Sequence, residues 1–178
     1  VVERGDALQV RRLVIGIGNP DRGDDGAGRL VAELLRARVP EDVEIVESDG
    51  NAGRLLEHLE RADAAYLIDA SVSGVAAGTV RRFDCGATPL PSVGLQVSTH
   101  GFGVGQAIEL ARALGRLPPR CVVYAIEAAE VRARGRVSAV VRESTQAVAD
   151  RIALELRQGS GGHASEHGLH HIRDNSLF

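Results

Sequence analysis

The segment from Leu13 to Gly28 constrains this chain more than any other. An apolar run, Leu13-Val14-Ile15, passes into Gly16-Ile17-Gly18-Asn19-Pro20, crosses a glycine-rich loop and delivers two adjacent carboxylates, Asp24 and Asp25, to the start of a helix. A buried strand followed by such a loop usually presents a group to a ligand. Two phosphate-binding readings fail on the residues. Gly16 and Gly18 begin a dinucleotide fingerprint, but Asp21 stands at its third glycine position. Gly18 and Gly23 have the spacing of a phosphate loop, yet Asp24 and Asp25 follow where Lys and Ser or Thr belong. Two carboxylates repel phosphate and suit a cation. The competing reading makes Asp24 or Asp25 a helix N-cap.

Downstream, short apolar runs alternate with amphipathic stretches, the pattern of a layered α/β fold. Strands are expected over Arg12–Ile17, Val43–Ser48, Ala64–Asp69, Gly78–Phe83 and Arg120–Ile126. Helices are expected over Asp25–Arg38, Ala52–Leu59, Gly101–Leu114 and Ser138–Arg157. Helical crossovers join the first three strands and predict the central order 2-1-3. Only Ala70–Ala77 separates the third and fourth strands, which predicts an antiparallel hairpin between them. The expected architecture is a three-layer α/β/α sandwich around a twisted, mostly parallel, five-stranded mixed sheet. Its switch point, where ligands bind in such folds, lies between strands one and three at their carboxyl ends. The loop after strand one ends at Asp25, and strand three ends at Asp69.

His100, in Ser98-Thr99-His100-Gly101, stands at a predicted helix N-terminus, where the dipole disfavours the imidazolium and leaves the neutral ring a metal requires. Alone, it reads more readily as a capping or core histidine than as a ligand, and Asp69 reads equally as a turn former. Together, Asp25, Asp69 and His100 supply two oxygens and a nitrogen with coordination positions left open. Zinc or nickel suits that set better than magnesium does.

Three separated blocks agree in order and spacing with one family. The segment Val14–Gly28, the strand Tyr66-Leu67-Ile68-Asp69-Ala70, and Ser98-Thr99-His100 leading into Ala107-Ile108-Glu109-Leu110-Ala111 resemble the hydrogenase maturation endopeptidases. The likeness continues through Leu114-Gly115-Arg116-Leu117-Pro118 and covers residues 13–156. It implies an aspartic-type endopeptidase that removes a short C-terminal peptide from the [NiFe] hydrogenase large-subunit precursor after nickel insertion. It places the metal-contacting residues at Asp25, Asp69 and His100. Some members carry Glu in place of Asp25, and the shorter side chain withdraws the carboxylate by about 1.5 Å. The nickel is then the substrate's own, although another divalent metal such as zinc also fits the donors. Asp25 or Asp24 is the expected general base on water, with Asp69 the third catalytic carboxylate. Ser71 and Ser73 lie close after Asp69, but no Ser–His or Cys–His pair is identifiable.

The opening also resembles that of peptidyl-tRNA hydrolases. Those need a histidine soon after the loop and a basic surface, whereas here the next histidine is His58 and the net charge is −3. A nickel carrier or hydrogenase assembly chaperone without protease activity is the second alternative, resting on the metal-type triad and the tail. That tail holds His163, His167, His170 and His171 among glycines and polar residues. Residues 1–157 therefore read as one peptidase domain and 158–178 as a disordered tail.

The charge and pI near 6.1 give no case for nucleic acid or anionic membrane, and no apolar stretch is long enough to span a bilayer. Nothing resembles a signal peptide, so the expected compartment is the cytoplasm. His58, between Glu57 and Glu60, is expected to be solvated. Cys121 opens an apolar run and is expected to be a buried small hydrophobe. Cys85 sits in a loop without a basic neighbour in sequence, so no thiolate nucleophile is expected there.

Overall fold

The computed structural model describes residues 11–89, 103–131 and 134–158. Five strands, β1 (Arg12–Ile17), β2 (Val43–Ser48), β3 (Ala64–Ser71), β4 (Val80–Asp84) and β5 (Arg120–Glu127), form one sheet in the order β2-β1-β3-β5-β4. The helices are α1 (Ala27–Leu35), α2 (Ala52–Glu60), α3 (Val104–Ala113) and α4 (Ala139–Gln158). A 3-10 turn over Gly23–Gly26 precedes α1, so the first helix starts later and stops earlier than its apolar pattern suggests. Gln158, read from sequence as the first tail residue, is the last residue of α4. His100 and residues 159–178 lie outside the described residues.

The period-two alternation of β1 splits the core. Val14 faces Val31, Leu35, Val148 and Ile152 on the α1/α4 side. Leu13, Ile15 and Ile17 face Leu55, Leu59 and Ile108 on the α2/α3 side. Each fully buried aliphatic side chain contributes about 1.5–3 kcal/mol, so the sheet is held from both faces. The result is the expected three-layer sandwich.

The expected β3–β4 hairpin does not form. Strand β3 pairs in parallel with β5, and β4 pairs antiparallel with the far side of β5. The reason lies in burial. Every residue of β3 is buried, and β5 is buried from Cys121 to Glu127, so both strands need neighbours on each side. Strand β4, Val-Arg-Arg-Phe-Asp, has no buried residue, with Arg82 and Asp84 exposed and the others half-buried, and suits the edge. The connection Val72–Thr79 is long enough to step over one strand and lets β5 enter between.

Candidate active site

Strand β1 and β3 pair only as far as Gly16 with Ile68, whereas β3 and β5 remain paired to Ser71 with Glu127. Asp69 is therefore the first β3 residue beyond the last β1 partner, at the carboxyl edge of the sheet, and is 2% exposed. The chain leaving β1 turns over this edge. Its 3-10 turn, which carries Asp24 and Asp25, contacts β3.

Glycines make that approach possible. Gly18 has φ +138°, and a Cβ there would lie 1.8 Å from the Asp25 carbonyl oxygen. A Cβ at Gly28 would lie 2.2 Å from the Ile68 carbonyl oxygen and 2.3 Å from that of Ile17. The first turn of α1 thus rests directly on the backbone ends of β1 and β3, and only hydrogen fits between. Asp25 is 0% exposed, and its Oδ2 accepts the Asn19 amide at 3.1 Å. Asn19 also closes the loop, its Oδ1 accepting from the Asp21 amide at 2.9 Å and its carbonyl from Arg22 at 3.1 Å.

Asp24 faces elsewhere. Its Oδ1 accepts the Ser138 amide at 2.6 Å, and its Oδ2 accepts the amides of Ala129 and Glu130 and the Ser138 hydroxyl at 2.8, 3.0 and 3.0 Å. The Asp24 amide donates to the Glu130 carbonyl at 3.1 Å, and that of Gly23 to Gly135 at 3.2 Å. Asp24 therefore ties the β1 loop to the segment between β5 and α4. Neither it nor Asp25 caps α1, whose N-cap is Gly26 with no side-chain hydrogen bond. Four hydrogen bonds occupy this one carboxylate and fix its position between the two segments.

A further buried acid went unnoticed in the sequence. Glu127, at the end of β5, accepts from the Ser71 and Ser73 hydroxyls at 2.8 and 2.9 Å and from the amides of Ser73 and Gly74 at 2.5 and 2.8 Å. Burial alone would raise its carboxyl, but these donors outweigh it and hold the group below its ordinary value. Arg81 stands 3.7 Å away and donates to the Ser73 hydroxyl at 2.9 Å. Glu127 thus fixes the chain directly after Asp69, and both serines serve that anchor. The available signal was an acidic residue closing an apolar strand at the edge where Asp69 lies.

Among the described residues, no group of three or more His, Cys, Asp or Glu side chains is gathered as a metal cage. Asp25 and Asp69 share one edge, and His100 lies outside the described residues. Two carboxylates at a switch point still suit a divalent cation shared with a second molecule.

The cysteines lie at the opposite edge, near the start of β5. The Cys85 amide donates to the Cys121 carbonyl at 2.7 Å, and both residues are fully buried. Cys85 does have a basic neighbour: Arg112 reaches from α3 to its carbonyl at 2.6 Å. A hydrogen bond from Cys121 lowers the Cys85 thiol, while the same contact and burial raise that of Cys121. His58 is half-buried, with its Nδ1 3.3 Å from the side chain of Arg61, the residue that ends α2.

A family model for hydrogenase maturation protease matches residues 29–155, a span that begins four residues after Asp25 and includes Asp69 and Glu127. The hydrogenase expression/formation protein HoxM of Azotobacter vinelandii is 28% identical over 149 residues, covering 81% of this chain and 70% of that protein. HupM of Azotobacter chroococcum is 29% identical over 121 residues, 67% of this chain and 58% of that relative's length. The solved [NiFe] hydrogenase maturation protease HycI of Thermococcus kodakarensis superposes with a TM-score of 0.62 at 29% identity, covering 83% of this chain and 93% of that one. The hydrogenase maturating endopeptidase HybD of E. coli shares the fold, with a TM-score of 0.71 at 23% identity over 85% of this chain and 94% of that one.

Proposed function

The chain belongs to the hydrogenase maturation protease family, and we propose that it removes the C-terminal peptide from a [NiFe] hydrogenase large-subunit precursor once nickel is in place. The observation that carries this reading is the pair of buried carboxylates, Asp25 and Asp69, at the carboxyl edge of β1 and β3. In this reading Asp25 and Asp69, with His100, receive the nickel that the precursor already holds. The contact places the scissile bond beside the acids and supplies orientation, which lowers the barrier. Nickel is here part of the substrate.

Hydrolysis then needs a base on water. Asp25 takes that role: it accepts a proton from the attacking water, the carbonyl carbon gains the hydroxide oxygen, and the C–N bond breaks as Asp25 returns that proton to the leaving nitrogen. The Asn19 amide holds the Asp25 carboxylate in position. Asp24, tied by four hydrogen bonds, braces the loop. Glu127 does the same for the chain after Asp69.

The test is to incubate the purified protein with nickel-loaded precursor and follow its mass. Loss of a C-terminal peptide is expected. An unchanged precursor that passes nickel to or from this protein would instead make it a carrier.

A further inference from the structure

A cleft of about 310 Å³ opens beside the β1 loop. Pro20 and Gly26 form part of its wall, each one residue from a member of the Asn19–Asp25 hydrogen bond. Three guanidinium groups, those of Arg29, Arg136 and Arg142, line it, against two carboxylates, Glu33 and Glu47. One of those acids is already engaged from outside the cleft. Glu47 accepts from Arg36 at 2.7 Å and stands 3.6 Å from Arg29. The Arg29 Nε–H is buried and has no hydrogen-bond partner among the described residues. Among the described residues the Arg142 guanidinium makes one long bond, 3.3 Å, to the Val137 carbonyl, and Arg136 is exposed. A buried N–H left unpaired is costly, and a guanidinium pairs best with a planar carboxylate.

We propose that this cleft binds a carboxylate of the substrate polypeptide, either its chain terminus or an Asp or Glu side chain, and so selects the segment that lies across Asp25. The inference rests on the protease reading for what delivers that carboxylate. Its chemistry rests on the arginines alone.

The experiment uses the full chain and two substrates. With nickel-loaded precursor, Arg136→Gln and Arg142→Gln should each raise KM about tenfold with kcat nearly unchanged, the mark of lost ground-state binding. With a synthetic peptide copying the precursor's C-terminal segment, binding is read by fluorescence anisotropy. The peptide is offered as free acid, as C-terminal amide, and with its Asp and Glu replaced by Asn and Gln. Loss of binding in the amide assigns the terminus; loss in the Asn/Gln peptide assigns a side chain. In either case the two arginine variants should bind the neutralised peptide and its parent alike. Equal binding of all three peptides by the wild-type protein, with unchanged KM in both variants, would overturn the proposal. Carboxylate-dependent, arginine-dependent peptide binding without any cleavage of precursor would sustain the cleft and remove the protease reading.

Discussion

Ser138 gives both its amide and its hydroxyl to Asp24, at 2.6 and 3.0 Å, across 114 positions of sequence. This pair joins the loop after the first strand to the start of the last helix. It accounts for why one of two adjacent acids is structural. Asp24→Ala leaves four donors without their acceptor and should cost about 3 kcal/mol in urea unfolding, since hydrogen bonds to a charged group are worth about 1.5–3 kcal/mol. Ser138→Ala removes one of the four and should cost about 1 kcal/mol. A stability loss below about 0.5 kcal/mol, the scatter of surface substitutions, would show that Asp24 is not a brace.

Asp25→Asn keeps the shape of the neighbouring acid and removes its charge. Processing of the precursor should fall by about 10²–10⁴-fold, the usual range for a lost general base, while the melting temperature changes little. Wild-type turnover by the Asn variant would take Asp25 out of the chemistry.

The β1 loop was legible because its glycines and acids are consecutive, and the chain's geometry there is local. The role of Asp24 was not, because its partners Ala129, Glu130 and Ser138 arrive more than a hundred positions later. The β3–β4 connection misled for a related reason. Its length suits a hairpin, and only the uninterrupted burial of β3 and β5 shows that another strand belongs between. Cys85 looked remote from any base because Arg112 lies 27 positions away and reaches it through α3 packing. Local spacing reads loops well, and long-range pairing is set by which strands must be covered on both faces.

Gly28→Ala tests the close approach of α1 to the sheet. Its new methyl would meet two carbonyl oxygens at 2.2 and 2.3 Å, and backbone cannot yield as a flexible side chain does. A loss of about 3 kcal/mol or failure to fold is expected despite the better helix propensity of alanine. The same change at Gly53, where the nearest atom lies at 3.3 Å on the Asn51 side chain, should be nearly neutral or stabilising. Similar stabilities for the two variants would contradict the packing described.

Glu155 links pH to stability away from the site. Burial would raise its carboxyl, but hydrogen bonds from Arg82 and Tyr124 and the Arg82 charge outweigh that and bring it down to about 2, from an ordinary 4.5. A folded-state value below the unfolded one gives stability that is present above about pH 4.5 and lost as the pH falls toward 2. Arg120 and Arg151 also pair with Glu155, each at 3.1 Å, but both are exposed, so the contribution is discounted to about 2 kcal/mol. Urea unfolding of wild type and Glu155→Gln between pH 2 and 6, a range of about four units, should show the gap between them narrowing as the acid limb is entered. A gap independent of pH would remove the linkage.

In the proposed reaction Asp25 and Asp69 act on a precursor that presents its own nickel. The direct measurement is intact-mass analysis of precursor incubated with the protein, with nickel loaded in one sample and absent, under chelator, in the other. Cleavage of the loaded precursor alone, abolished by Asp25→Asn and Asp69→Asn, is the predicted result. Equal cleavage of the metal-free precursor, or cleavage that survives both substitutions, would contradict it.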